Sequence, residues 1–234
     1  MGTNVCIVGS IIVIVFLIRE LCVAYQISQE RIRYMHCHEI KAIPIPNVIY
    51  RGTKRMADII LSVLVCLIIL PILYIVLGVI IKLTSKGTII FKQKRVGLFG
   101  KTFTCYKFRS MYINSGNEIV FSSDDTRVTP IGRFIRKTHL DEFPQFFNVL
   151  KGDMSLVGPR PLPCTEVEKI DNTIEVYTRC LVRPGITGLA QVNSGRFLST
   201  EKYLHYDLTY VSKLSLIKDI KLLWQTLKFS DKTC

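Results

Sequence analysis

The chain has 234 residues, a formal net charge of +13 and a mean hydropathy of +0.31. This combination is rare among soluble proteins. The charge lies almost wholly outside two apolar stretches, which indicates a membrane protein whose basic domain meets anionic lipid or an anionic substrate. No nucleic-acid-binding motif accompanies the positive charge, so we do not expect nucleic acid as a partner.

The cysteine pattern argues against a zinc site. None of the eight cysteines belongs to a C-x-x-C pair, and the chain has only four histidines. Cysteines in or near apolar stretches behave as small hydrophobes. We therefore expect reduced thiols, as in a cytoplasmic domain.

The first apolar stretch predicts an N-terminal transmembrane anchor over residues 1–25. Residues 5–18 are uncharged and the apolar character resumes at residues 21–25, so the segment reaches the roughly 20 residues that a spanning helix needs. No basic residue precedes the stretch and no small-residue cleavage site follows it. We therefore expect an anchor rather than a removable signal peptide.

The basic residues that follow the anchor predict its orientation. They cluster from Arg31 onward, so the positive-inside rule places the N-terminus outside and the rest of the chain in the cytoplasm.

Residues 26–51 are interpreted as a linker that begins as a helix. Pro44 and Pro46 bar a continuous helix through it.

The second apolar stretch, within residues 52–84, predicts a re-entrant membrane helix. It runs from Ile59 to Ile81 without a charge, which is long enough to span a bilayer. Basic residues flank both of its ends, so a crossing would place one cluster outside, against the charge rule. Pro71, near the middle, kinks a helix. A helix that bends at this proline and returns to the same face satisfies both observations, and a full span is the alternative.

Residues 85–234 predict a cytoplasmic catalytic domain of the α+β class, mostly helical. Two β-rich runs, 88–95 and 102–111, are joined by turn glycines and predict a small β-hairpin. The second run places Lys107 and Arg109 on one face of a strand. That face is either solvated or presents Arg109 to a ligand.

Four helices are predicted after the hairpin, in addition to the one that follows the acid pair described below. The last of them is amphipathic, which fits a helix lying at the membrane interface and a core helix about equally well. A stretch rich in turn formers, residues 183–193, predicts a loop. The predicted helices cover residues 130–137, 165–181, 199–212 and 215–229.

An adjacent acid pair, Asp141 and Glu142, marks the candidate active site. Because proline is tolerated in the first turn of a helix, Pro144 places the pair at the start of a helix that we expect to end at Gly152. Carboxylates, guanidinium groups and the free N–H groups of a helix N-terminus together suit a phosphate held with a divalent metal. The alternative is that the acids merely complement the helix dipole. Three arginines lie nearby in the sequence: Arg133, Arg136 and Arg160.

Six stretches agree in order and spacing with the motifs of one family. They are Lys54-Arg55-x-x-Asp58, Phe91-x-Gln93-x-Arg95-x-Gly97, residues 106–111, residues 136–145, residues 151–161 and Arg183-Pro184-Gly185-Ile186-Thr187-Gly188. On these residues the chain resembles the monotopic phosphoglycosyl transferases, bacterial sugar transferases that begin lipid-linked glycan assembly. The resemblance covers residues 51–229. The chain departs from the family pattern at Leu70, where a serine commonly precedes the hairpin proline, and at Gly87-Thr88, where Gly-Pro is usual.

The resemblance implies a reaction, a metal and partners. Such enzymes move a sugar 1-phosphate from a UDP-sugar to a polyprenol phosphate, release UMP and require Mg²⁺. Carried over, Asp141 is the nucleophile of a covalent phosphosugar intermediate and a ligand of Mg²⁺. Glu142 assists by handling a proton or by orienting the metal. The implied setting is the cytoplasmic face of the bacterial inner membrane, with the lipid bilayer as a partner, and a homo-oligomer is left open.

The remaining candidate residues fall into three groups. Phosphate binding is assigned to Arg136 and Arg160, with Arg109 as a weaker candidate. Nucleotide-sugar binding is assigned to Arg183, Gln145 and Gln191. The membrane hairpin is assigned Lys54, Arg55, Asp58 and Pro71.

Two rival functions are possible beside the sugar-1-phosphate transferase: a glycosyltransferase that releases UDP, and a non-catalytic membrane scaffold of a glycan-assembly complex.

Overall fold

The computed structural model describes residues 18–19, 22–23, 25–40, 43, 46–113, 126–170, 173–194 and 200–229. Most of the predicted anchor, residues 1–25, lies outside the described residues, so its transmembrane helix stays a prediction. Residues 25–37 form helix α1, in agreement with the helical start expected of the linker.

The described chain is mostly helical, with two small two-stranded sheets. The helices after α1 are α2 (Val48–Leu64), α3 (Leu70–Thr84), α4 (Pro130–Lys137), α5 (Gln145–Lys151), α6 (Cys164–Val167), α7 (Thr173–Arg179), α8 (Leu189–Ser194), α9 (Thr200–Ser212) and α10 (Leu216–Phe229). The strands are β1 (Ile90–Val96), β2 (Thr102–Phe108), β3 (Ser155–Val157) and β4 (Gly185–Thr187).

A single helical segment, Val48–Thr84, carries the second apolar stretch. Its 37 residues, with a mean hydropathy of 3.2 over the most apolar window, are long and apolar enough to cross a membrane. A π-helical turn, Val65–Ile69, separates α2 from α3 directly before Pro71. Proline has no N–H to donate, and the Leu70 amide donates five residues back to the Val65 carbonyl oxygen. The helix is therefore irregular at the expected place, and its return to the same membrane face stays a prediction.

The start of this segment is fastened to the rest of the domain by its charged residues. The Lys54 Nζ atom lies 2.9 Å from an Asp219 carboxylate oxygen on α10. The Arg55 guanidinium donates to two carbonyl oxygens in the last turn of α5, at 2.8 and 3.2 Å. The buried Asp58 carboxylate accepts from the Leu156 amide on β3 at 3.0 Å. The predicted hairpin residues thus fix how the apolar helix leaves the domain.

The end of the segment is fastened to the same domain by Arg109. This guanidinium donates to the Ile81 and Ser85 carbonyl oxygens at 3.4 and 2.8 Å. It also donates to the carbonyl oxygen of Lys86. These carbonyls belong to or follow the last turn of α3, where intrahelical donors run out. Buried Ile81 packs in one cluster with Phe108 of β2. Both ends of the apolar segment therefore contact one folded unit.

Several local predictions are confirmed. The β-hairpin forms, with β1 and β2 antiparallel and Ile90 opposite Phe108. Thr129 caps α4 by accepting from the Gly132 amide at 2.9 Å. Helix α5 ends at Gly152, whose φ of 89° is the left-handed conformation that glycine adopts without strain.

Two predictions about the C-terminal half are wrong. Residues 183–193 are not a loop, since they contain β4 and most of α8. Strand β4 pairs in parallel with β3, so its conformation is set by a partner 30 residues away that local propensity does not reveal. Residues 165–181 form two short helices, α6 and α7, rather than one.

Candidate active site

The acid pair lies in a 3₁₀ turn, Leu140–Glu142, between α4 and α5. The pair lies in the first turn of this short 3₁₀ helix, as expected, but the single predicted helix is divided, because α5 begins only at Gln145, after Pro144. His139 precedes the turn with a φ of 56°, a left-handed conformation uncommon outside glycine. This reversal turns the chain between the two helices, and Asp141 as a whole residue is only 7% exposed.

Lys107 supplies a cation to the acid pair. It lies on β2, with its Nζ atom 2.6 Å from Glu142 Oε1 and 4.0 Å from Asp141 Oδ2. The strand pattern predicts Lys107 and Arg109 on one face, with Arg109 as the candidate for binding phosphate. The structure brings Lys107 to the carboxylates and Arg109 to the end of α3.

Arg160 approaches the same carboxylate from the loop after β3. Its Nη1 atom lies 4.0 Å from Glu142 Oε1, and its side chain keeps 35% of its surface exposed. The predicted members Asp141, Glu142 and Arg160 are therefore together. A partly exposed guanidinium beside buried carboxylates can reach an incoming anion without leaving its place.

Two buried arginines hold the loop that carries Arg160. The Arg179 guanidinium pairs with Asp207 of α9 at 2.6 Å and also donates to the backbone carbonyl oxygen of Arg160. The Arg95 guanidinium, on β1, donates to the carbonyl oxygen of Pro161. The position of the Arg160 side chain thus depends on contacts from β1, α7 and α9.

Three glycines allow the loop to lie against the chain around β4. A Cβ atom on Gly185 would sit 2.1 Å from the Gly158 nitrogen, and one on Gly188 would sit 2.1 Å from the Gly158 carbonyl oxygen. Real Cβ atoms do not come this close to backbone, so a side chain at either position displaces the loop.

Gly188→Ala is expected to lower both stability and turnover. Overpacking of this kind costs about 1–3 kcal/mol or more, and here it shifts the backbone that positions Arg160. The measurement is the melting temperature of the purified protein together with its transferase rate. Gly52→Ala is the matched control, because nothing lies within 4 Å of a Cβ there and alanine favours a helix by about 0.5–1 kcal/mol. Equal melting temperatures and rates in the two variants would contradict the role of the glycine contact.

The electrostatic balance at Glu142 favours the ionised carboxylate. Burial by itself would raise the Glu142 pKa, but the charges of Lys107 and Arg160 outweigh it and hold that pKa well below its usual range. Glu142 therefore carries a negative charge at neutral pH. This weighs against a role in handling protons near neutral pH and favours an electrostatic or positioning role.

The other predicted residues lie around this centre in different ways. Arg136 is half-buried in the last turn of α4, and its carbonyl oxygen accepts from the His139 amide at 3.3 Å. The Arg183 Nε atom donates to the Gly152 carbonyl oxygen at 2.8 Å. Gln145 is buried at the start of α5. Gln191, on α8, has a side-chain oxygen 2.9 Å from where a Cβ on Gly188 would lie. Their assigned roles toward substrate stay predictions.

Mg²⁺ is compatible with the donors at the acid pair. Among the described residues, no three His, Cys, Asp or Glu side chains cluster as a metal cage. Mg²⁺ commonly uses one or two carboxylates and completes its octahedron with substrate phosphates and water. Because Glu142 is engaged by Lys107 at 2.6 Å, Asp141 is the carboxylate that would serve as the protein ligand.

The chain matches the model of a known protein family. The profile of the bacterial sugar transferase family matches residues 49–231. This range contains the long apolar helix, the acid pair, Lys107 and Arg160.

Curated relatives carry consistent names. The chain is 43% identical over 203 residues, 80% of its length and 43% of the relative's, to the UDP-glucose:undecaprenyl-phosphate glucose-1-phosphate transferase of Klebsiella pneumoniae. It is 42% identical over 205 residues, 85% of its length and 48% of the relative's, to the UDP-N-acetylgalactosamine-undecaprenyl-phosphate N-acetylgalactosaminephosphotransferase of Aeromonas hydrophila. It is 35% identical over 193 residues, 75% of its length and 84% of the relative's, to the exopolysaccharide production protein ExoY of Sinorhizobium fredii. The chain spans less than half the length of the first two relatives.

Proposed function

The chain belongs to the bacterial sugar transferase family, and we propose that it transfers a sugar 1-phosphate from a UDP-sugar to a polyprenol phosphate, undecaprenyl phosphate in bacteria, and releases UMP. The observation that carries the proposal is the buried Asp141 carboxylate in contact range of Lys107, with Arg160 beside the same acid pair. Both substrates are anionic, so a nucleophilic carboxylate needs this cationic surrounding to approach a phosphoryl group. The named activities of the relatives agree with this chemistry.

The proposed reaction has two steps at one carboxylate. In the first, a carboxylate oxygen of Asp141 forms a bond to the β-phosphorus of the donor, while the bond from that phosphorus to the bridging oxygen breaks and UMP leaves with the oxygen. In the second, a phosphate oxygen of the acceptor attacks the same phosphorus, and the Asp141–phosphorus bond breaks to regenerate the carboxylate. Neither step requires a net proton transfer, which agrees with an ionised Glu142.

The chain's own cations have separate parts in this scheme. Lys107 holds Glu142 and reduces the negative potential around Asp141, so that an anionic phosphate can come into contact with it. Arg160, whose side chain is 35% exposed, would bind the phosphate oxygens of the donor. Bound Mg²⁺ would add charge neutralisation at the phosphates.

The released nucleotide tests this function against its enzymatic rival. Membranes containing the protein, supplied with polyprenol phosphate, Mg²⁺ and a panel of UDP-sugars, are expected to release UMP with one or a few of the sugars. Chelation of the metal is expected to stop the release. Release of UDP would favour a glycosyltransferase, and no nucleotide release with any donor would favour the scaffold.

We also propose that the helix Val48–Thr84 is re-entrant and that the catalytic domain lies on the cytoplasmic face of the inner membrane. The support is that its start, through Lys54, Arg55 and Asp58, and its end, through Arg109, contact the same domain. The π-helical turn before Pro71 gives the helix a place to bend.

Labelling from the two sides of the membrane tests the topology. Labels at position 86, after α3, and at exposed position 151 of the catalytic domain are expected to react from the cytoplasmic side alone. Reaction of position 86 only from the outside, with position 151 reacting from the cytoplasm, would show that the helix crosses the bilayer.

A further inference from the structure

Arg31 is a buried cation that the proposed reaction does not use. It lies on α1, outside the part of the chain that matches the family, and the residue is only 3% exposed. Its Nε and Nη2 atoms make no hydrogen bond to any described residue. Burying a guanidinium with unsatisfied donors is costly, so such a group calls for an anionic partner.

A second arginine lies beside the first. Arg51, in the first turn of α2, donates to the hydroxyl of Ser28, which lies one turn before Arg31 on the same face of α1. Burial and the neighbouring charge of Arg51 lower the Arg31 pKa to about 10. Arg51 is only half-buried, and an oxyanion that contacts both guanidinium groups would offset the repulsion that the two charges exert on each other.

The surroundings of this arginine pair indicate where the anion comes from. Arg51 lies at the start of the long apolar helix, where a membrane helix meets lipid headgroups. Exposed apolar side chains lie within two positions of each arginine in the sequence, with Ile32 49% exposed on α1 and Ile49 76% exposed on α2. Cations beside exposed apolar surface fit a molecule that has both a phosphate and acyl chains.

The arginine pair is separate from the acid pair. Arg55, one turn after Arg51, contacts the carbonyl end of α5, whereas Asp141 and Glu142 precede the amino end of that helix. The seven residues of α5 alone account for roughly 10 Å between the two places.

We propose that Arg31 and Arg51 form a binding site for a phosphate oxyanion, carried by the headgroup of an anionic phospholipid. The site joins α1 to the start of the membrane helix, so an occupied site fixes the angle between them. The inference does not depend on the reaction proposed above, since the site and its ligand take no part in it.

The test is a thermal-shift titration of the full chain in a neutral detergent. The probes are short-chain phosphatidylglycerol, short-chain phosphatidylcholine and inorganic phosphate, compared for the wild type, Arg31→Gln, Arg31→Lys and the control Arg33→Gln. Arg33 is an exposed arginine on the same helix. We expect phosphatidylglycerol to raise the melting temperature of the wild type saturably and phosphatidylcholine to leave it unchanged. Arg31→Gln should weaken the apparent affinity at least about tenfold, Arg31→Lys less, and Arg33→Gln not at all.

The outcomes separate the possible sources of the anion. Without any probe, Arg31→Gln should melt at or above the wild-type temperature, because it removes an unpaired buried charge. Stabilisation by inorganic phosphate equal to that by phosphatidylglycerol would overturn the lipid source and leave an oxyanion site. Equal phosphatidylglycerol affinity in the wild type and Arg31→Gln would overturn the site itself. A raised KM for polyprenol phosphate in Arg31→Gln would instead identify an acceptor subsite.

Discussion

Asp141→Asn is expected to reduce UMP release by more than about 1,000-fold, the scale on which loss of a covalent nucleophile acts. The amide has nearly the shape of the carboxylate but lacks the negative charge, so it neither attacks phosphorus nor binds a metal strongly. The loss should appear in kcat. The measurement is UMP release from membranes at saturating donor and acceptor.

The variant should keep its fold, because the substitution removes one charge and no volume. The melting temperature of the purified variant is expected to stay within a few degrees of the wild type. Glu30→Gln, a carboxylate-to-amide change on α1 whose partner Lys101 is largely exposed, serves as the control and should retain full activity. Turnover by Asp141→Asn within about tenfold of the wild type would exclude the covalent role.

Lys107→Gln is expected to have the next largest effect, a fall in kcat of about 100- to 1,000-fold. Loss of the ammonium group removes the positive charge that lies 2.6 Å from Glu142 and 4.0 Å from Asp141, so an incoming anionic phosphate meets stronger repulsion from the two carboxylates. Lys107→Arg should recover part of the rate, since it restores the charge with a different shape. Lys92→Gln, an exposed lysine on the neighbouring strand, should leave the rate unchanged.

The same substitution should change the response to acid. In the wild type the Glu142 pKa is lowered by Lys107 and Arg160, so the stability from this pairing is present above the unfolded glutamate pKa of about 4.3. That stability is lost as pH falls through the lower folded pKa. In Lys107→Gln the Glu142 pKa rises, and acid inactivation is expected to begin at higher pH than in the wild type. The measurement is transferase activity as a function of pH for the two proteins. An identical loss of activity at low pH, together with similar kcat values, would contradict the role assigned to Lys107.

Local sequence chemistry predicts some of the fold because the relevant contacts are local. The Thr129 cap, the Gly152 terminus and the β-hairpin depend on residues a few positions apart. The irregularity before Pro71 follows from the missing N–H of proline. Strands β3 and β4 could not be predicted in this way, because each has three residues and is defined by its distant partner.

In the candidate site, too, some residues could be predicted from the sequence and others depend on contacts between distant segments. The acid pair and Arg160 could be proposed from the sequence, since carboxylates and arginines in a family motif indicate phosphate chemistry. Lys107 and Arg109 share a strand face, and periodicity cannot tell which of them meets the acid pair. The choice depends on how β2 packs between the acid pair and the end of α3. The support of Arg160 by Arg179 and Asp207 likewise joins segments far apart in sequence.

The most direct test of the proposed mechanism is mass spectrometry of the protein incubated with its UDP-sugar and Mg²⁺ in the absence of acceptor. We expect the peptide that contains residue 141 to gain the mass of a sugar phosphate, and the gain to disappear on addition of polyprenol phosphate. Asp141→Asn should show no such gain. Release of UMP on transfer to the acceptor, with residue 141 never modified in the donor-only reaction, would contradict the covalent mechanism.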